Sequence, residues 1–420
     1  MMDRMLQLMA ERKASDLFLS PNSPVMVKIN GVVAPVSEQR LSVERVNELI
    51  KKIVSEEDWA TFVSEKELTT SYGIAGVGAF RVNLFRQRGS TSVVIRFIPG
   101  EIPSSASLNL PTFLNDLIVQ KRGLILVVGA TGSGKSTTLA SLLDYRNAER
   151  AGHILTIEDP IEFNFRNKRS IVNQRQIGTD TESLNTALRS AMRQAPDCIL
   201  IGEIRDPRTM SQAIAYAQSG HLVAATMHAN NAYHALTRVV SFFPPENRGI
   251  VLSDLAATLK AVISQRLVRT VEDTRIPAIE VLLNTTHIAE LIEKGRIAEI
   301  KEAMEKSIAA GSVTFEQALV RLVSERRITR DEALLNSDSP TNLLWLMENA
   351  DSQPVGQTAG HANDSASFGP MFGEDSTDST MRPVEQPRSN LAPEPATSPA
   401  GNGERRDPSS PNFSDFLLNI

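Results

Sequence analysis

The 420-residue sequence predicts an α/β chain: a small mixed α+β domain, then a parallel-sheet phosphate-loop domain, then a disordered acidic tail. Three observations carry this. An apolar run at 124–128 leads through a glycine-rich turn into a helix-like segment at 138–143. From about Leu108 onward strand-like and helix-like segments alternate, the pattern of a parallel sheet with helices on its faces. After Ala350 proline, serine, glycine, asparagine and acidic residues dominate, and nine of the 22 prolines lie there, so too little apolar area remains to offset the entropy of ordering. The expected divisions are 1–100, 101–350 and 351–420, with the polar stretch from Pro103 to Ser107 as the first link.

In the first domain Met2, Met5, Leu6 and Met9 have helical spacing, and a short strand is expected at 17–19. Val25 to Val33 reads as two strands around Asn30-Gly31, a dipeptide that accepts the positive φ of a tight hairpin. Val43, Val46, Leu49, Ile50 and Ile53 mark an amphipathic helix, and Trp59, Phe62 and Val63 a second. Phe80, Val82 and Leu84 alternate as a half-buried strand, and another at 93–98 closes at Pro99-Gly100.

In the second domain strands are expected at 154–157, 198–201 and 222–226, each ending in polar residues. Ligands of open α/β sheets lie beyond the carboxyl ends of the strands, so a site should form there. Beyond Pro245 the chain reads as helical, with Leu255, Leu259, Val262 and Ile263 on one face. A strand at 278–283 and further helices follow to about residue 350. The last residues, 413–420, carry five apolar side chains in eight and read either as a peptide that docks on an unknown partner or as an end with none.

Gly129-Ala130-Thr131-Gly132-Ser133-Gly134-Lys135-Ser136-Thr137 satisfies G-x-x-x-x-G-K-[ST] in its required strand–loop–helix setting. The glycines let backbone N–H groups turn inward around a polyphosphate, and the helix aims its positive end at the same place. Lys135 adds a charge near the β- and γ-phosphates of ATP, and the Ser136 hydroxyl can hold Mg²⁺. Hydrolysis needs more: a group that orients water and groups that stabilise charge on the γ-phosphate. Acidic clusters stand at two strand ends, Glu158, Asp159 and Glu162 after the first and Glu203 after the second. Glu158 and Asp159 can alternatively cap a turn made by Pro160. His221 and His228 bracket the third strand, and His228 at its carboxyl end is a candidate γ-phosphate sensor.

Composition narrows the class further. The single cysteine, Cys198, excludes an internal disulfide and a cysteine-built metal site, and the six histidines have no metal-site spacing, which leaves nucleotide-held Mg²⁺ as the expected metal. Net charge is -5, but residues 351–420 hold ten acidic residues against four arginines, so the remainder is near neutral and no basic field points to nucleic acid. No apolar run has the length of a bilayer span and no signal peptide opens the chain, which predicts a cytoplasmic protein without a transmembrane segment.

Four clusters together carry a resemblance. GATGSGKST at 129–137, TIEDPIE at 156–162, ILIGEIRD at 199–206 and GHLVAATMHA at 220–229 resemble the Walker A, Asp box, Walker B and His box of type II/type IV secretion ATPases. Ala14 to Leu19 and Phe80-Arg81-Val82-Asn83 are similar to the type IV pilus retraction, or twitching-motility, branch (PilT/PilU), over about residues 1–350. Arg193 to Asp197 and His228 to Ala232 look closer to the PilU type, and HIAELIEK at 287–294 replaces the PilT-type motif AIRNLIRE.

The resemblance implies a homo-hexameric ring with a PAS-like N-terminal domain and a RecA-like ATPase domain, peripheral at the bacterial inner membrane. Glu162 would orient the attacking water and Glu203 would act on Mg²⁺ through its water shell. His228 would sense the γ-phosphate, His221 would support an interface, and Arg81 and Arg96 would reach a nucleotide across a domain or subunit boundary. The implied partners are a PilT-type ATPase and an inner-membrane pilus platform protein. A non-motor adaptor of a PilT ring is the alternative, and a pilus assembly or secretion ATPase fits less well, since those chains usually carry a four-cysteine zinc site.

Overall fold

The structure, a computed structural model, describes residues 2–352 apart from 30, 100 and 308–310. Two sheets organise it. The first is six-stranded and antiparallel, in the order β3-β2-β1-β6-β5-β4. Its strands are β1 (Asp16–Leu19), β2 (Met26–Ile29), β3 (Val32–Pro35), β4 (Glu67–Ile74), β5 (Gly78–Gln87) and β6 (Ser90–Pro99). Ile29 pairs with Val32, so β2 and β3 form the expected two-residue hairpin, with Gly31 at φ +86°. Asn30, the other half of that dipeptide, lies outside the described residues. Helices α1 (Met2–Glu11), α2 (Val43–Ile50) and α3 (Glu56–Glu65) bury Met2, Met5, Leu6, Met9, Val46, Leu49, Ile50 and Phe62. The inward residues of β5 and β6, among them Phe80, Val82, Leu84, Val93 and Ile95, are also buried.

The second sheet has seven strands in the order β13-β12-β7-β11-β10-β8-β9. They are β7 (Gly123–Val128), β8 (Gly152–Glu158), β9 (Ser170–Gln176), β10 (Cys198–Ile201), β11 (Leu222–Met227), β12 (Leu259–Arg269) and β13 (Arg275–Leu283). All neighbours are parallel except β12 and β13. Every residue of β7, β10 and β11 is buried, because helices cover both faces. Alternation along β7 divides the core: Leu124, Leu126 and Val128 join one cluster, Ile125 and Val127 the other. The first cluster includes α7 (Pro207–Gln218) and α8 (Ala232–Ser241); the second includes α4 (Phe113–Ile118) and α5 (Lys135–Glu149). A third cluster packs α12 (Phe315–Ser324), α13 (Arg330–Asn336) and α14 (Pro340–Ser352) against Val268, Ile276 and Ala278.

The helix expected beyond Pro245 is only half present. Leu255 lies on α9 (Arg248–Thr258), whereas Leu259, Val262 and Ile263 belong to β12. Consecutive Ala261, Val262 and Ile263 are all buried, as in a strand covered on both faces, and a continuous apolar run fits helical spacing by accident. Edge strands β4 and β9 have no counterpart among the expected elements. The tail from 353 onward, including the disorder expected there and the end at 413–420, lies outside the described residues.

Candidate active site

The phosphate loop leaves the central strand β7 and enters α5 at Lys135. Gly129, Gly132 and Gly134 have φ of +157°, +77° and +86°, conformations that side chains rarely adopt. Space also excludes a side chain at Gly129: a Cβ there would stand 2.5 Å from the Gln265 carbonyl oxygen and from Ser133 Oγ. Lys135 is buried, and its ammonium donates to the carbonyls of Gly129 and Ala130, both at 2.9 Å. Burial lowers its pKa, while Glu203 and Glu162 pull the other way.

Thr131, Gly132, Lys135, Ser136, Glu162, Glu203 and His228 line one cleft of about 540 Å³ beyond the strand ends. Gly129, Ala130, Ser133, Gly134 and Thr137 complete the loop and first helical turn behind it. Ser133 Oγ is buried with no hydrogen-bond partner among the described residues, an unpaired polar atom beside a loop built to surround an anion.

Glu203 stands two residues beyond β10 and is gripped from two sides, by Arg205 Nη2 at 2.7 Å and His228 Nε2 at 3.0 Å. Burial would raise its pKa, but the Arg205 hydrogen bond and the charges of His228, Arg205 and Lys135 outweigh it and hold the carboxyl below its ordinary value. The ends of β10 and β11 are tied together, since Ile204 N–H donates to Thr226 O at 2.9 Å and the Thr226 hydroxyl donates to Gly202 O. These bonds fix where Glu203 and His228 meet.

Glu158 has a different part. Like Asp159 it lines the cleft, but its carboxylate accepts from Thr156 Oγ1 on β8 at 2.6 Å and Gln174 Nε2 on β9 at 3.2 Å, and burial raises its pKa. His221 sits at the opposite end of β11, where Nδ1 lies 3.1 Å from Ser219 Oγ and the ring meets Tyr216 edge-on. Arg81 and Arg96 do not line the cleft. They stand directly opposite each other on β5 and β6. Arg96 pairs with buried Asp16 at 2.8 Å. Arg81 Nε is buried without a partner among the described residues; burial lowers its pKa, opposed by the charges of Glu162 and Asp159.

Two arginines went unremarked in the sequence. Arg205 lies inside a motif already singled out, so its place beside Glu203 was within reach. Arg266, on β12, donates to Asn230 O at 3.1 Å and to Asn336 O, pairs with Asp338 and covers the Phe315 ring at 4.0 Å. It holds the loop after His228 against the C-terminal helices, a role with no motif to announce it. Among the described residues no three His, Cys, Asp or Glu side chains gather to cage a metal. Ser136 and Glu203 share the cleft, a sparse donor set that suits Mg²⁺ taking most of its ligands from phosphate and water.

Comparison with known proteins gives the family. The family model for type II/IV secretion system proteins matches residues 1–323. The type IV pilus ATPase PilU of Pseudomonas aeruginosa is 44% identical over 347 residues, 82% of this chain and 91% of that protein. The type IV pilus retraction ATPase PilT of the same organism is 38% identical, covering 80% and 98%. Among solved structures, the pilus retraction motor PilT with bound ADP superposes with a TM-score of 0.75 at 38% identity, over 81% of this chain and 99% of that one. The family match spans the phosphate loop and every acidic and histidine residue of the cleft, and the chain belongs to the type II/IV secretion system protein family.

Proposed function

We propose that this chain hydrolyses ATP to power type IV pilus retraction and twitching motility, as a homo-hexamer working beside a PilT-type ATPase. The observation that carries the enzymatic part is the convergence of Lys135, Glu162, Glu203 and His228 on one cleft; a binding module has no need of the two carboxylates. Lys135 and the N–H groups of the loop hold the β- and γ-phosphates. Ser136 would hold Mg²⁺ and Glu203 would act on it through its water shell, and the ion would supply charge neutralisation at the phosphates. Glu162 orients the attacking water. His228, tied to Glu203 at 3.0 Å, registers the γ-phosphate from the end of β11.

The pilus assignment rests on the likeness to PilU and PilT; the hexamer, the inner-membrane platform partner and the reach of Arg81 and Arg96 toward a nucleotide rest on the family resemblance of the sequence clusters. So does the division at residue 100 into an N-terminal domain that closes over the nucleotide and an ATPase domain that binds it. Glu162→Gln tests the hydrolytic centre: ATP remains bound and turnover slows by at least about a hundredfold. Turnover within a few-fold of the parent would remove Glu162 from the mechanism.

A further inference from the structure

Gln265 lies on β12, outside every motif, and is 3% exposed. Its neighbour Ser264 pairs with Val128, the last residue of β7, so Gln265 sits beside the start of the phosphate loop. Both halves of its amide are engaged. Nε2 donates to the carbonyl of Ser133 at 2.7 Å, and Oε1 accepts from the buried Thr138 hydroxyl, also at 2.7 Å. The position demands a side chain that donates at one end and accepts at the other, which an amide does and a carboxylate does not.

The Ser133–Gly134 peptide is trans, the one cis bond among the described residues being Asp159–Pro160. In a trans peptide the C=O and N–H point in opposite directions. Holding the Ser133 carbonyl against β12 therefore turns the Gly134 N–H away from β12, in a loop whose neighbouring Gly132 and Lys135 line the cleft. We propose that Gln265 is a positioning residue: without touching the nucleotide, it sets the Ser133–Gly134 peptide so that the loop presents this N–H to phosphate. The inference rests on the ATP-binding reading above.

Calorimetric titration of the full-length protein with ADP and with inorganic pyrophosphate tests it. Gln265→Glu keeps an acceptor for Thr138 but sets a carboxylate against the Ser133 carbonyl, and both affinities should fall by at least about tenfold. Thr138→Val breaks the other bond at similar burial and leaves the Ser133 carbonyl held, so its affinities should stay within about threefold of the parent. A merely structural role would instead weaken both variants alike. Equal losses in the two variants, or parental affinity in Gln265→Glu, would overturn the proposal. Should Gln265→Glu fail to fold, Gln265→Met keeps the volume without a charge and carries the same expectation. A parent that binds neither ligand, or a Lys135→Ala variant that binds both as the parent does, defeats the nucleotide reading itself rather than the part assigned to Gln265.

Discussion

The two sheets put their charged residues in opposite kinds of place. In the seven-stranded sheet the central strands are buried on both faces, so Lys135, Glu162, Glu203 and His228 stand beyond the carboxyl ends of strands. In the six-stranded sheet Asp16, Arg81 and Arg96 sit along the strands themselves, side by side across β1, β6 and β5. A strand end can hold reactive groups with little cost to the core. A strand interior cannot, and charges placed there should weaken the fold.

Three substitutions sharpen or break that contrast, in falling order of effect. Lys135→Ala, at a strand end, should cut ATP affinity by at least about a hundredfold while leaving the melting temperature of the nucleotide-free protein nearly unchanged. A large fall in stability would show that the end groups also hold the core.

Glu280, like Arg266 on β12, is an exception within the large sheet, a carboxyl buried in the middle of β13. Burial pushes its pKa up to about 7, against the hydrogen bonds from Ala232 N–H and Ser264 Oγ and with help from nearby Asp338 and Glu316. The folded protein therefore holds a proton that the unfolded chain has released, and stability declines as pH rises from the ordinary 4.5 through about 7. Glu280→Gln keeps the acceptor and loses the titration. Between pH 5 and pH 8 it should gain on the parent by about 1–3 kcal/mol, read from denaturant midpoints at the two pH values. Parallel pH profiles for parent and variant would count against a cost for this charge.

Arg81→Met should give the smallest effect. Removing a half-buried cation opposite Arg96 relieves a like-charge pair and raises stability by about 0.5–1 kcal/mol, measured by the same midpoints. Lowered stability would mean that attraction to Glu162 and Asp159 outweighs burial.

Legibility in the sequence followed the same contrast. Strand ends were readable because a turn must be spelled out locally: the glycines of the loop, Pro160 after Asp159, and Gly202 before Glu203 each mark a strand's finish. The interior of β12 was not, because its apolar run satisfies a helical period as well as a buried strand, and with it went Gln265 and Arg266. Edge strands β4 and β9 escaped because half-exposed, polar alternation resembles a loop. The pairing of Arg81 with Arg96 follows from the two-residue turn at Arg88 and Gly89, both at positive φ, which sets Gln87 against Ser90 and fixes the register, a turn that went unread in the sequence.

Lys135 carries a consequence for the cycle. Its ammonium has two carbonyl acceptors inside its own loop. An ammonium has three N–H donors, so one is left for a phosphate while the other two stay on the loop. The two carbonyls remain its partners when phosphate leaves, so its buried charge is never stranded between one turnover and the next.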